Sequence, residues 1–113
     1  MNENKAIIDE MEKTGRSGKR TALATVVRVT GSAYRREGAK MLIDEDGTTT
    51  GLISGGCLEP DVAETAKRVM ADGQPILKQY DMGEDLVWGL GLGCPGTVDI
   101  YIEPVPEEGE NEN

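Results

Sequence analysis

Histidine and phenylalanine are absent from this chain of 113 residues, tryptophan occurs once and cysteine twice. Without an imidazole there is no Ser–His or Cys–His pair, no histidine-ligated metal and no imidazole base, which removes most hydrolase chemistry. Aromatic residues make up 4% of the chain, so the core has to be aliphatic. Two thiols are too few for a disulfide framework or a four-cysteine zinc site. In a reducing cytosol both stay free, as packing residues or as reactive ones.

Basic residues are also scarce: 12 Lys and Arg stand against 21 Asp and Glu, a net charge of −9. On average such a surface repels nucleic acid and anionic membranes. No apolar run reaches the roughly 18 residues that cross a bilayer. Residues 1–13 mix both charge signs where a leader would join a basic stretch to an apolar one. A cytoplasmic protein is expected. The chain is shorter than the roughly 150 residues of a typical domain. That predicts one domain over residues 1–105, followed by an acidic tail, 106–113, that lacks apolar anchors and is expected to be disordered.

Ala6, Ile7, Ile8 and Met11 share one side of a helical wheel between Asn2 or Asn4 and Gly15, which predicts a helix over residues 4–14 stopped at Gly15. Residues 23–29 are rich in Val and Thr, with Arg28 their only charge, and read as a strand buried on both faces. Residues 39–44 and 48–53 flank Glu45-Asp46-Gly47, a hairpin turn whose glycine takes positive φ. Leu58, Val62, Ala66, Val69 and Met70 recur at helical spacing, with Pro60 early and Gly73 after the end, giving a helix over 58–71. Strands follow at 76–80 and 97–103, the latter ended by Pro104 and Pro106. Between them, Gly83, Gly89, Gly91, Gly93 and Gly96 make residues 81–96 a loop. The expected fold is α/β (α+β): a mixed sheet of about five strands with two helices, the glycine-rich loops meeting in one site.

Charge is unevenly spread. Residues 14–41 carry seven cations, Arg16, Lys19, Arg20, Arg28, Arg35, Arg36 and Lys40, against one acid, Glu37. Either this is a solvated stretch or it attracts a small anion to an otherwise repulsive surface. Within it, residues 31–41 place Ser32, Arg35 and Lys40 between Gly31 and Gly38 or just beyond. Hydroxyl, guanidinium and ammonium donors with accessible backbone N–H groups suit a phosphate. The alternative is an ordinary polar connection.

A second segment, Ser54-Gly55-Gly56-Cys57-Leu58-Glu59-Pro60, runs from a strand through two glycines into a helix. A helix N-terminus favours anions and a thiolate, so Cys57 is either an activated thiol or a packing residue. Glu59 either complements the dipole and caps an N–H or does acid–base work. The third segment, Gly91-Leu92-Gly93-Cys94-Pro95-Gly96, spells the dinucleotide fingerprint. A strand follows it where that motif requires a helix, so the match is rejected and the glycines are read as a close-approach loop. Cys94 is a second thiol or an inert one, and Trp88 reads as core or lid.

Residues 25–29 with Gly31-Ser32, Arg35 and residues 38–41, then Gly55-Gly56-Cys57-Leu58-Glu59, then Gly93-Cys94-Pro95-Gly96 followed by Ile102-Glu103-Pro104, together resemble the XdhC/CoxI family. The likeness spans residues 4–105, and three glycine-centred blocks in order are far more specific than one. Tyr34 stands where the family has proline before the arginine, and Ser54 where a third glycine is usual.

The resemblance implies an accessory protein, not an enzyme, that binds molybdenum cofactor (molybdopterin or its nucleotide form) as cargo. It implies a molybdenum hydroxylase client such as xanthine dehydrogenase or carbon monoxide dehydrogenase. Larger members add a Rossmann-like domain, which here would be a separate subunit. Cofactor-binding residues on this reading are Gly31, Ser32, Arg35, Lys40, Gly55, Gly56, Cys57, Glu59, Cys94 and Gly96. Cys57 is the candidate ligand to molybdenum, a persulfide relay or a positioning group. Pairing as a homodimer would stabilise so small a domain. Two rivals stand beside this: a thiol enzyme using Cys57 on a phosphorylated small molecule, and a ligand-free partner-binding subunit.

Overall fold

The computed structural model describes residues 3–31, 37–54, 56, 58–81 and 96–106. Within them the chain forms α1 (Glu3–Ser17), β1 (Thr21–Gly31), β2 (Lys40–Asp44), β3 (Thr49–Gly51), α2 (Glu59–Asp72), β4 (Ile76–Asp81) and β5 (Gly96–Val105). The five strands form one sheet in the order β3-β2-β1-β5-β4. The number of strands and helices is as expected for an α+β domain, but every pairing is antiparallel rather than mixed. The physical reason is the landing point of the α2 crossover. It joins β3 to a strand running the same way, β4, but carries it past β1 to the far edge, where its only neighbour is β5.

The sheet is covered unequally. Ala22, Ala24 and Val26 of β1, Met41 and Ile43 of β2, and Val98, Ile100 and Ile102 of β5 point to one face, where Val62, Ala66, Val69 and Met70 of α2 complete an aliphatic core. Leu42 faces the other way and is buried on the side where α1 packs over β2 and β3, with Ile7. β1 is therefore fully buried on one face only. Leu23 and Thr25 are half-buried, and Val27 is exposed where a bulge shifts the register between Val26 and Arg28.

Helix α1 runs a turn further than Gly15. Its stop is Gly18, at φ +81°, where the Gly18 N–H donates to Gly15 O and the Lys19 N–H to Thr14 O, a Schellman closure. Gly47 (φ +90°) closes the β2–β3 hairpin, with Asp44 Oδ1 accepting from the N–H groups of Asp46 and Thr48. β3 is shorter than expected because Gly51 turns the chain out at φ +94°. β5 runs through Pro104 to Val105. Pro104 lies beyond the pairing with β4, which begins at Ile76↔Ile102, so no strand on that side needs the N–H that proline lacks. The glycine-rich segment 82–95 with Trp88 and Cys94, and the acidic tail beyond Pro106, lie outside the described residues. Among the described residues no helix is long and apolar enough to cross a membrane.

Candidate functional site

The described ends of the first and third glycine blocks meet at one end of the sheet. β1 finishes beside the start of β5, with Gly31 paired to Gly96. β4 finishes one strand further on, with Asp81 opposite Thr97. β2 begins at Lys40, opposite Thr25 and six residues short of Gly31, and β3, antiparallel to it, finishes there with Gly51 opposite Met41. The chain then passes through Ile53, Ser54 and Gly56 into α2. Of the predicted site residues, Ser32, Arg35, Gly55, Cys57 and Cys94 lie outside the described residues. Gly31 and Gly96 pair at this end, Gly56 and Glu59 lie where the chain enters α2, and Lys40 lies opposite Thr25, midway along β1.

Glu59 and Ser54 hold the turn into α2. Glu59 Oε2 accepts from the N–H groups of Ile53 (3.0 Å) and Ser54 (2.8 Å), and Oε1 accepts from the Ser54 hydroxyl. Ser54 Oγ in turn accepts from the N–H groups of Gly56 and Leu58, both at 3.2 Å. Burial alone would push the Glu59 carboxyl up, but the Ser54 hydroxyl and the backbone N–H groups of Ser54, Ile53 and Glu59 itself outweigh it and hold the group below its ordinary value. Glu59 is thus an ionised acceptor at neutral pH, the capping alternative of the two open for it. Its carboxylate supplies the anion that the helix N-terminus attracts. The Gly56 N–H, expected to face a ligand, is already donated to Ser54.

Ser54 is the residue that sequence reasoning missed. It stands out in the sequence only as an unusual replacement for glycine, whereas its hydroxyl links Glu59 to two N–H groups further along the turn. No capping box announces it, since serine and glutamate stand five residues apart instead of three and the N-cap is Leu58.

Lys40 begins β2 opposite Thr25, midway along β1, and lies on the α1 side. It lines an apolar cleft of ≈ 270 Å³ with Ile7, Ile8, Met11 and Leu23, and its Nζ donates back to Gly38 O at 3.3 Å. Glu37 accepts the Val29 N–H through Oε2 at 3.0 Å, tying the 31–40 loop to the extended end of β1. The basic stretch is split. Lys19 pairs with Asp46 (2.7 Å), and Arg20 donates to Met70 O while its own N–H reaches Glu45. Both sit where β1 begins, the opposite end of the sheet from Gly31. A cleft of ≈ 380 Å³ at that far end, lined by Arg20, Thr21, Met70, Gly73, Pro104, Val105 and Pro106, includes none of the predicted site residues.

A small α+β domain with a five-stranded antiparallel sheet, in which β1 and β5 pair the glycines of two blocks, is the class that fold and site define. The chain belongs to the XdhC and CoxI family, which it matches over residues 15–81. It is 45% identical over 91 residues to a probable xanthine dehydrogenase subunit of Bacillus subtilis (strain 168), covering 76% of this chain and 27% of that protein. It is 37% identical over 87 residues to the molybdenum cofactor insertion chaperone PaoD of Escherichia coli (strain K12), again 76% of this chain and 27% of the relative. The crystal structure of a xanthine dehydrogenase from Bacillus halodurans superposes with a TM-score of 0.74 at 44% identity, over 88% of this chain and 30% of that one. The chain thus spans less than a third of the length of these relatives.

Proposed function

We propose that this chain carries molybdenum cofactor, as molybdopterin or its nucleotide form, and aids its insertion into a molybdenum hydroxylase client in the cytosol. The reading rests above all on the Gly31–Gly96 pairing, which brings the ends of two glycine blocks together in a chain whose remaining block holds Cys57. A ligand with an anionic phosphate at one end and a thiophilic metal at the other suits that combination. Arg35 and Ser32 bind the phosphate, with Lys40 adding charge from the α1 side of the loop. Gly31, Gly55, Gly56 and Gly96 allow close approach. Cys57, with Cys94, offers soft sulfur to molybdenum or its exchangeable sulfur, and Glu59 fixes the turn that presents Cys57. Residues 1–105 act as one carrier domain, working with a Rossmann-domain partner. The relative named as a molybdenum cofactor insertion chaperone supports a carrier in place of a catalyst.

The test is anaerobic incubation of the purified chain with molybdenum cofactor, removal of free ligand, and assay of retained pterin and metal. Arg35→Ala is expected to lower retention about tenfold, the scale of a lost hydrogen bond to a charged group, while Arg16→Ala, in the last turn of α1, changes nothing. Cys57→Ala is expected to lose metal and pterin. Absence of retention by the native chain overturns the stand-alone carrier and directs attention to a partner subunit or to turnover of a phosphorylated substrate.

A further inference from the structure

A second polar cluster borders the same sheet end and has no part in the contacts described so far. On β4, Ile76, Lys78 and Tyr80 alternate onto the face that α2 covers, and Tyr80 packs against the core there. Asp61, in the first turn of α2, receives both polar groups on one oxygen. Its Oδ2 accepts from Lys78 Nζ at 2.7 Å and from the Tyr80 hydroxyl. Lys78 Nζ also reaches Thr65 Oγ1 one turn on (3.4 Å) and stands 5.4 Å above the Tyr80 ring. Hydrogen bonds first from Lys78 and then from Tyr80 hold the Asp61 carboxyl below its ordinary value. Burial, then Asp61, pushes the Tyr80 phenol up, so it remains a proton donor throughout the neutral range.

An ordinary surface pair such as Glu64–Lys67 ties a helix to itself. This cluster ties two elements together, at sequence separations of 17 and 19 residues. Its two anchors are significant. Asp61 lies two residues beyond Glu59, so it fixes the helix end that the Ser54–Glu59 turn feeds. Tyr80 precedes Asp81, the last residue of β4, which lies opposite Thr97, next to Gly96. We infer that Asp61, clamped by Lys78 and Tyr80, is a positioning residue that sets the entry from Ser54 into α2 against the β4–β5 end of the sheet. Its effect on cofactor rests on the carrier reading above. Its effect on Cys57 does not.

Half-exposed ion pairs contribute little to global stability, so the positioning effect is separable from folding. In the full-length chain, Asp61→Asn, Tyr80→Phe and Lys78→Met are compared with Lys78→Arg, which keeps a cationic donor, and with Lys67→Ala as a control on the same helix. Three quantities are read: retained molybdenum and pterin, the iodoacetamide alkylation rate of Cys57 in the ligand-free protein resolved by mass spectrometry, and Tm. The expected result is a loss of retention of about tenfold, the usual scale for removing a group that orients a ligand. Cys57 alkylation should change about threefold or more, Tm should stay near native, and Lys78→Arg should restore both readings. Alkylation rates equal to native in all variants overturn the inference, whatever retention does. If the native chain retains no cofactor, the carrier reading falls and the alkylation series still decides the role of Asp61.

Discussion

Gly51→Ala is expected to cost about 2–5 kcal/mol, from a left-handed backbone strain of roughly 1–2 kcal/mol and overpacking of roughly 1–3 kcal/mol. Gly51 has φ +94°, and a Cβ there would lie 2.5 Å from Lys40 O and 3.0 Å from Ile7 Cδ1. Neither neighbour yields easily. The carbonyl belongs to β2, held between β1 and β3, and Ile7 is 2% exposed beneath α1. The matched control is Gly47→Ala. Gly47 has φ +90°, but a Cβ would meet nothing within 4 Å, so only the conformational cost of roughly 1–2 kcal/mol applies. Guanidinium unfolding of both variants isolates the steric part, and equal losses would remove the close approach of β3 to β2 as its cause. Because Gly51 directs the chain toward the turn into α2, the same substitution disturbs the candidate site.

Local pattern was the legible part of this fold. The 3.6-residue recurrence of Val62, Ala66, Val69 and Met70 locates α2, and Gly73 ends it in the left-handed conformation with its N–H on Val69 O. The alternation of Val98, Ile100 and Ile102 locates β5, and Glu45-Asp46-Gly47 locates the hairpin. Misreadings arise where a local signal has two structural meanings. Gly15 is a helix-stop residue type, yet it lies inside α1 because Gly18 and Lys19 already satisfy the terminal carbonyls. The bulge after Val26 has no signature in a Val-Val-Arg-Val run, since it arises from register with β5. The wholly antiparallel sheet depends on where the crossover lands, which is a property of the assembled core and not of any segment.

The candidate site divides along the same line. Glycine blocks are visible in composition, and the meeting of the first and third at one sheet end follows from strand direction once the pairing is known. The fate of individual donors is not visible. A helix preceded by two glycines reads as an open anion site, but here Glu59 returns its carboxylate to Ile53 and Ser54, and Ser54 takes the N–H groups of Gly56 and Leu58. Likewise, seven cations between residues 14 and 41 read as one basic patch. Strand β1 separates them, leaving Lys19 and Arg20 paired where it begins and Lys40 midway along it, opposite Thr25. Anion recognition in the proposed function therefore falls to the 31–40 loop, while the turn before α2 carries a built-in negative charge, the Glu59 carboxylate, instead of an empty dipole end.

Glu59→Ala is expected to destabilise the fold by about 2–3 kcal/mol at pH 7, the scale of hydrogen bonds lost to a charged acceptor plus N–H groups left unpaired. Glu59→Gln keeps one accepting oxygen and should lose about 1 kcal/mol, since neutral hydrogen bonds are roughly half as strong. The difference between native and Gln depends on pH with a definite sign. The folded carboxyl titrates below its ordinary value of 4.5, so its stabilisation is fully present above that value and is lost as pH falls through the lower folded value. Unfolding midpoints should therefore separate native from Glu59→Gln at neutral pH and converge in acid, while Glu59→Ala stays weaker throughout. A constant gap between native and Gln across that range would mean that the charge on Glu59 is not what holds the turn. Because Ser54 relays the same carboxylate to Gly56 and Leu58, Ser54→Ala should reproduce part of the loss, and combining it with Glu59→Ala should add less than the sum of the two single losses, as for residues in one network.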